Sequence, residues 1–181
     1  MFATGFDAIT GPLNRVAISG SGGVRLRDKW RDGPRAYLGL AGAGFPNLFT
    51  VTGPGSPSVL SNMVVSIEQH VDWIADYLTY LRERAITVTV PDATAEDRWV
   101  EHVGEVASHA LYPRAASWYM GANIPGKPRV FIPYAGGVGA YREICDKVAA
   151  EGYSGFVHHS APDRAEGGAA AGVRHGVEVT G

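Results

Sequence analysis

Two stretches hold residue types that could position a bound organic molecule. The first is Gly53-Pro-Gly-Ser-Pro-Ser-Val-Leu-Ser-Asn-Met63, which runs straight into a long amphipathic segment. Two glycines and two prolines fix an irregular backbone. The helix start that follows points its free N–H groups back at that loop, and it carries roughly half a positive charge. Anionic character on a ligand suits such a place. A plain strand–loop–helix connection also accounts for the stretch, and both readings stand on the residues alone. The second stretch is Ser117-Trp-Tyr-Met-Gly-Ala-Asn-Ile-Pro-Gly-Lys127, followed by Pro128 and Arg129. Trp118 offers a flat face and one donor, and Asn123 both donates and accepts. Lys127 and Arg129 have the charge to meet phosphate. A loop of aromatics capping the core is the alternative.

No other motif carries chemistry. Gly20-x-Gly22 leads to Arg25, and Gly42-x-Gly44 leads to Asn47, so no dinucleotide fingerprint is complete. Walker, zinc-spacing, nucleophile-elbow and HExxH patterns are lacking, and no metal ligand set is expected. His70 and the pair His158-His159 read as solvated or hydrogen-bonded histidines. Cys145, the single cysteine, reads as a structural thiol. One cysteine precludes a disulfide within the chain and favours a reducing, cytoplasmic compartment.

These stretches need elements to hold them. The spacing of Val64, Ile67, Val71, Ile74, Leu78 and Leu81 predicts a helix over about 62–84 with that face inward, capped by Ser61 or Asn62. Ile86–Val90 reads as a strand ended by Pro91, and Leu48–Val51 as a short strand of the buried parallel type. A second helix is predicted over about 94–111, opened by Thr94 and Asp97, with Trp99, Val103, Val106 and Ala110 inward. A third is predicted from 140 to 151, then a strand over 153–157. Arg15–Ser19 and Val24–Trp30 read as a hairpin across Gly20–Gly23. Phe2–Thr4 reads as the end of a buried strand, which predicts a folding unit extending upstream of Met1. Trp73 and Trp99 are expected in the core.

The 181 residues are 45% hydrophobic and 19% charged, with a formal net charge of −2, so neither nucleic acid nor a membrane surface is indicated as a partner. No apolar run approaches the roughly 18 residues a bilayer span requires.

Ala3-Thr-Gly-Phe-Asp7, Phe45-Pro-Asn-Leu-Phe49, the 53–63 stretch, Ser66-Ile-Glu-Gln-His70 and the 117–127 stretch together resemble the C-terminal part of type I Baeyer–Villiger monooxygenases. These are flavoproteins that use NADPH and O2 to turn ketones into esters or lactones. The resemblance covers about residues 1–157. It implies an α/β chain, the C-terminal part of the Rossmann-like FAD-binding domain of a flavoprotein with two dinucleotide-binding domains, incomplete on its own. Residues 1–113 would belong to that domain, 114–159 would cover cofactor and substrate and add a helix, and 160–181 would be a disordered tail. Met63, Asn62, Pro54 and Gly53 would lie near FAD. Pro57, Ser58, Val59 and Leu60 would line the ketone pocket. Trp118, Asn123 and Lys127 would serve the segment that closes over NADP. The family's fingerprints and catalytic residues have no match here, so no catalytic residue is carried over. The expected partner is an N-terminal FAD- and NADP-binding portion. A catalytically inactive remnant, or one chain of a split enzyme, is the alternative.

Overall fold

The computed structural model describes residues 7, 9–57, 60–111 and 118–160. The expectations for Phe2–Thr4, Ser58, Val59, Tyr112-Pro113 and the tail beyond residue 160 lie outside them. Five helices are described, α1 (Gly11–Arg15), α2 (Leu26–Lys29), α3 (Met63–Glu83), α4 (Ala93–Ser108) and α5 (Gly137–Ala150). Two strands, β1 (Ile86–Pro91) and β2 (Phe156–Ser160), pair antiparallel. The fold is α/β.

The sheet is formed by the β-branched run Ile86-Thr-Val-Thr-Val90, which suits a half-buried pleat. Pro91 is the last residue of β1 and still pairs with Phe156, and Ser160, expected in the tail, pairs with Ile86. The other side of β1 is met by Asn47. In the left-handed region at φ +57°, its N–H donates to Thr89 O. Its side chain donates to Thr87 O at 3.0 Å and accepts from Thr89 N at 2.9 Å.

The largest core cluster joins Tyr37, Leu38 and Leu40 to Trp73 and Tyr77 of α3, Trp99 and Val103 of α4, and Tyr141, Cys145 and Val148 of α5. Tyr77 stacks on Tyr153 with ring centres 4.1 Å apart, and its hydroxyl meets Thr89 Oγ1 and His158 Nε2. That set of contacts pins α3 to both strands.

The face of α3 differs from expectation. Ser66, Gln69, His70, Trp73, Tyr77 and Leu81 are buried. Of the predicted aliphatic stripe only Leu81 is buried fully, while Val64 is 60%, Ile67 38%, Val71 48% and Leu78 50% exposed. The helix has two apolar faces. The chain covers the one bearing Trp73 and Tyr77, which bury more area per residue.

Several shorter expectations also change. Residues 11–15 form a helix, because Pro12 presets the first-turn φ, and the expected hairpin shrinks to a single Ser19–Arg25 bridge beside α2. Residues 48–51 form no strand; Phe49 makes one isolated antiparallel bridge with Ala41. Asp92 caps α4, accepting from Thr94 N and Ala95 N, so the helix starts before the expected Thr94–Asp97 box. It ends at Ser108. Asn62 caps α3 as expected.

Candidate functional site

The chain enters the first stretch through Thr52, which sits at φ +55°. A β-branched residue rarely adopts that conformation. Its N–H donates to Nδ1 of His70, about two turns along α3, at 3.0 Å. Gly53, Pro54, Gly55, Ser56 and Pro57 that follow are all buried. A Cβ on Gly53 would stand 2.4 Å from Gly39 O, and one on Gly39 would stand 2.7 Å from Ser56 N. Only a pair of glycines lets these two backbones touch. Gly55 donates to Ile132 O, and Ser56 O accepts from Tyr134 N, each at 2.8 Å. Trp99 of α4 donates its indole N–H to Gly55 O at 3.2 Å and stacks against Tyr134.

Beyond the buried turn the chain comes out to a rim at the start of α3. Leu60 is half-buried, whereas Asn62 and Met63 are exposed. Asn62 Oδ1 accepts from Val64 N at 3.0 Å, closing the helix end. No charged residue occurs between Arg35 and Glu68, so the rim and the turn behind it are wholly uncharged.

The second stretch lies close by. Trp118 and Tyr119, in a 3-10 turn over Trp118–Met120, hold their rings 4.2 Å apart. Ile132 donates to Tyr119 O at 3.0 Å, while its own carbonyl receives Gly55 N. The run 131–134 therefore stitches the two stretches together, although some sixty residues separate them in the sequence. Asn123 is exposed. Lys127 turns inward, and its ammonium donates to the Asp7 carboxylate and to Thr10 Oγ1, the latter at 2.8 Å. A cavity of about 280 Å³ beside that pair is lined by Asn14, Trp30, Arg31, Ile124 and Pro128 among others.

Two buried groups behind the turn, His70 and Cys145, are held neutral near pH 7. Burial pushes His70 down to about 4. Burial pushes the Cys145 thiol up to about 12, so the inert, structural reading of that cysteine stands. Glu96, 3% exposed, is the main buried ionic junction; it accepts from Lys29 Nζ at 2.7 Å and from Ala43 N at 2.8 Å. Among the described residues no group of three His, Cys, Asp or Glu side chains is placed to hold a metal ion, and no helix is long and apolar enough to cross a membrane.

Three contributors were missed by sequence reading: the His70–Thr52 bond, the Trp99–Gly55 bond and the Asp7–Lys127 pair. One signal was present. Ser66, Gln69 and His70 are polar and share a helix face with Trp73 and Tyr77, and a polar group on a buried face must find a partner.

Solved flavin-dependent monooxygenases share this fold over most of the chain. Cyclohexanone monooxygenase from Rhodococcus sp. Phi1 bound to NADP+ is 41% identical and superposes with a TM-score of 0.85, over 88% of this chain and 30% of that one. OTEMO in complex with FAD and NADP is 37% identical with a TM-score of 0.81, over 87% and 29%. Among curated proteins, a Baeyer–Villiger monooxygenase of Pseudooceanicola batsensis is 41% identical over 157 residues, covering 87% of this chain and 28% of its own length. Acetone monooxygenase (methyl acetate-forming) of Gordonia sp. is 44% identical over 157 residues, covering 86% and 30%. No protein-family model matches. Over nearly nine-tenths of its length the chain is a homologue of Baeyer–Villiger monooxygenases, and it spans about 30% of the length of those relatives.

Proposed function

We propose that this chain is the C-terminal part of a Baeyer–Villiger monooxygenase, within its Rossmann-like FAD-binding domain. In this reading it walls the ketone site and covers the bound nucleotide. The observation that carries the proposal is the stitched pair of stretches: a buried Gly53–Pro57 turn and an aromatic Trp118–Tyr119 turn, both bonded to Ile132 beside an uncharged helix start.

The residues present fit a flavin edge. Asn62 and Met63 are exposed at the N-terminus of a 21-residue helix, and no carboxylate lies near them in sequence to repel anionic character. Asn62 and Met63 would flank FAD. Gly53 and Pro54, buried against Gly39 and Thr50, would shape that flank from behind. Pro57, Ser58, Val59 and Leu60 would form the ketone wall. Bound FAD, reduced by NADPH, supplies the oxygen-transfer chemistry that makes an ester or lactone from a ketone and O2. This chain's share is to orient the ketone, exclude water and hold the cover. Trp118 presents an aromatic face to the nucleotide, and Asn123 a polar amide. Lys127 serves from the cover's far end, where its pairing with Asp7 ties residues 120 positions apart. Residues 1–113 would belong to the FAD domain and 114–159 to the cover and its helix, acting in the cytoplasm.

The remaining roughly 70% of the fold would supply the FAD and NADP grips, within one chain or on a second. The exposed aliphatic face of α3 is where apolar surface awaits such a partner. The test is complementation. Alone, the chain is expected to retain no FAD and oxidise no NADPH. Co-expressed with the nucleotide-binding portion of a relative, it should yield a yellow complex with ketone-dependent NADPH oxidation. In that complex Met63→Glu should lower ketone turnover about tenfold or more by placing a charge against the flavin edge. A chain that carries stoichiometric FAD by itself, or a complex indifferent to Met63→Glu, refutes the reading.

A further inference from the structure

We propose that His70 is a positioning residue that holds the Gly53–Pro57 turn in shape through Thr52, and that protonating its ring releases the turn. The proposal concerns the turn's conformation; its value to ketone oxidation rests on the function proposed above.

Thr52 is the hinge between the Phe49–Val51 approach and the turn. A threonine at φ +55° persists only when its surroundings hold it there. The hold is specific. Thr52 N donates to His70 Nδ1 across 18 positions at 3.0 Å, and His70 is 0% exposed. Because Nδ1 accepts, the neutral ring carries its proton on Nε2, which is buried and has no hydrogen-bond partner among the described residues. The ring is braced edge-to-face by Tyr141 of α5, with centres 5.5 Å apart. The groups around it are neutral near pH 7. From α5 these are the Tyr141 phenol, raised well above its ordinary value by burial, and the Cys145 thiol. From α3 it is the Gln69 amide, and from the turn the Thr52 N–H. A second proton would sit on Nδ1, where it would face the Thr52 N–H donor to donor. The bond must then break, and the turn loses the contact that keeps Thr52 left-handed. The same ring thus couples the packing of α3 on α5 to the wall of the candidate site.

The test is amide hydrogen exchange by mass spectrometry on the full chain, comparing His70→Leu with His70→Asn. Leucine fills about the imidazole's volume without an acceptor, whereas asparagine, although smaller, places an oxygen close to where Nδ1 stood. His70→Leu should speed exchange over residues 50–57 about tenfold relative to α4, and His70→Asn should stay within about threefold of the natural chain. Lowering the pH from 7 to about 4.5, corrected for intrinsic exchange, should open the turn in the natural chain and not in His70→Asn. Equal effects of the two substitutions, or no effect of leucine, overturn the proposal. Should neither variant fold, nitrogen NMR of labelled histidine decides it in the natural chain. The Nε2–H tautomer should persist to below about pH 5, and a midpoint near the ordinary value of about 6.5 overturns it. FAD retention in the complemented complex is measured separately, so failure here leaves the functional reading standing, and the reverse.

Discussion

At the scale of single residues, burying an imidazole with one nitrogen unpaired ties stability to pH. The folded chain holds His70 at about 4, whereas an unfolded chain leaves it near the ordinary 6.5. The unfolded state therefore takes up the proton first as pH falls. The stabilisation is complete above about 6.5 and drains between there and 4. Between pH 7 and 5 the loss attributable to this ring should be about 2 kcal/mol, read as the difference between the natural chain and His70→Asn in urea unfolding at each pH. His158, lowered by burial and then by His159, acts in the same direction and is common to both chains, so it cancels. Residue chemistry was only partly legible. Trp73 and Trp99 were expected in the core because size and apolarity decide that locally, and they are buried, as is Cys145. The His70–Thr52, Glu96–Lys29 and Asp7–Lys127 bonds join positions 18 to 120 apart, and nothing in a linear pattern says which distant groups will meet.

Elements differ in how openly the sequence declares them. The long helix was expected over about 62–84 and runs Met63–Glu83, because 21 residues give the 3.6-residue period six repeats and Asn62 a clear cap. Its orientation was not legible, since two apolar faces compete and only the tertiary structure tells which one this chain covers. The short α2 was mistaken for part of a strand, and α1 was not expected, because four or five residues hold too little period to separate helix from strand. Caps are where a single atom decides an element, so they make clean tests. Asn62→Ala removes the acceptor for Val64 N, and Asp92→Ala removes that for Thr94 N and Ala95 N. Each should cost about 1 kcal/mol in chemical denaturation. Amide hydrogen exchange should show the loosening confined to the affected helix start. Asn62→Ala should also loosen the rim that carries Met63, whereas Asp92→Ala should not.

For the molecule as a whole, the exposed ridge of Val64, Ile67, Val71 and Leu78 dominates behaviour in solution. Spaced three, four and seven residues apart, these residues share one face of α3 as an apolar seam, larger in consequence than scattered surface aliphatics. The chain should self-associate in a concentration-dependent way by sedimentation. Replacing Val71 and Leu78 by lysine should restore a monomer with unfolding free energy changed by no more than about 0.5 kcal/mol per site, since neither side chain is in the core. The same double variant should fail to complement the nucleotide-binding portion. What the clumps look like is set elsewhere, by Asn47. Its backbone and side chain already occupy Thr87 O, Thr89 N and Thr89 O, so the outward margin of β1 has no ladder left to offer a neighbouring molecule. Association through the seam therefore gains no ladder from this margin of β1. The precipitate should be amorphous, stain weakly with thioflavin T and lack the roughly 4.7 Å cross-β reflection, whereas Asn47→Gly, by baring that margin, should bring both signals up.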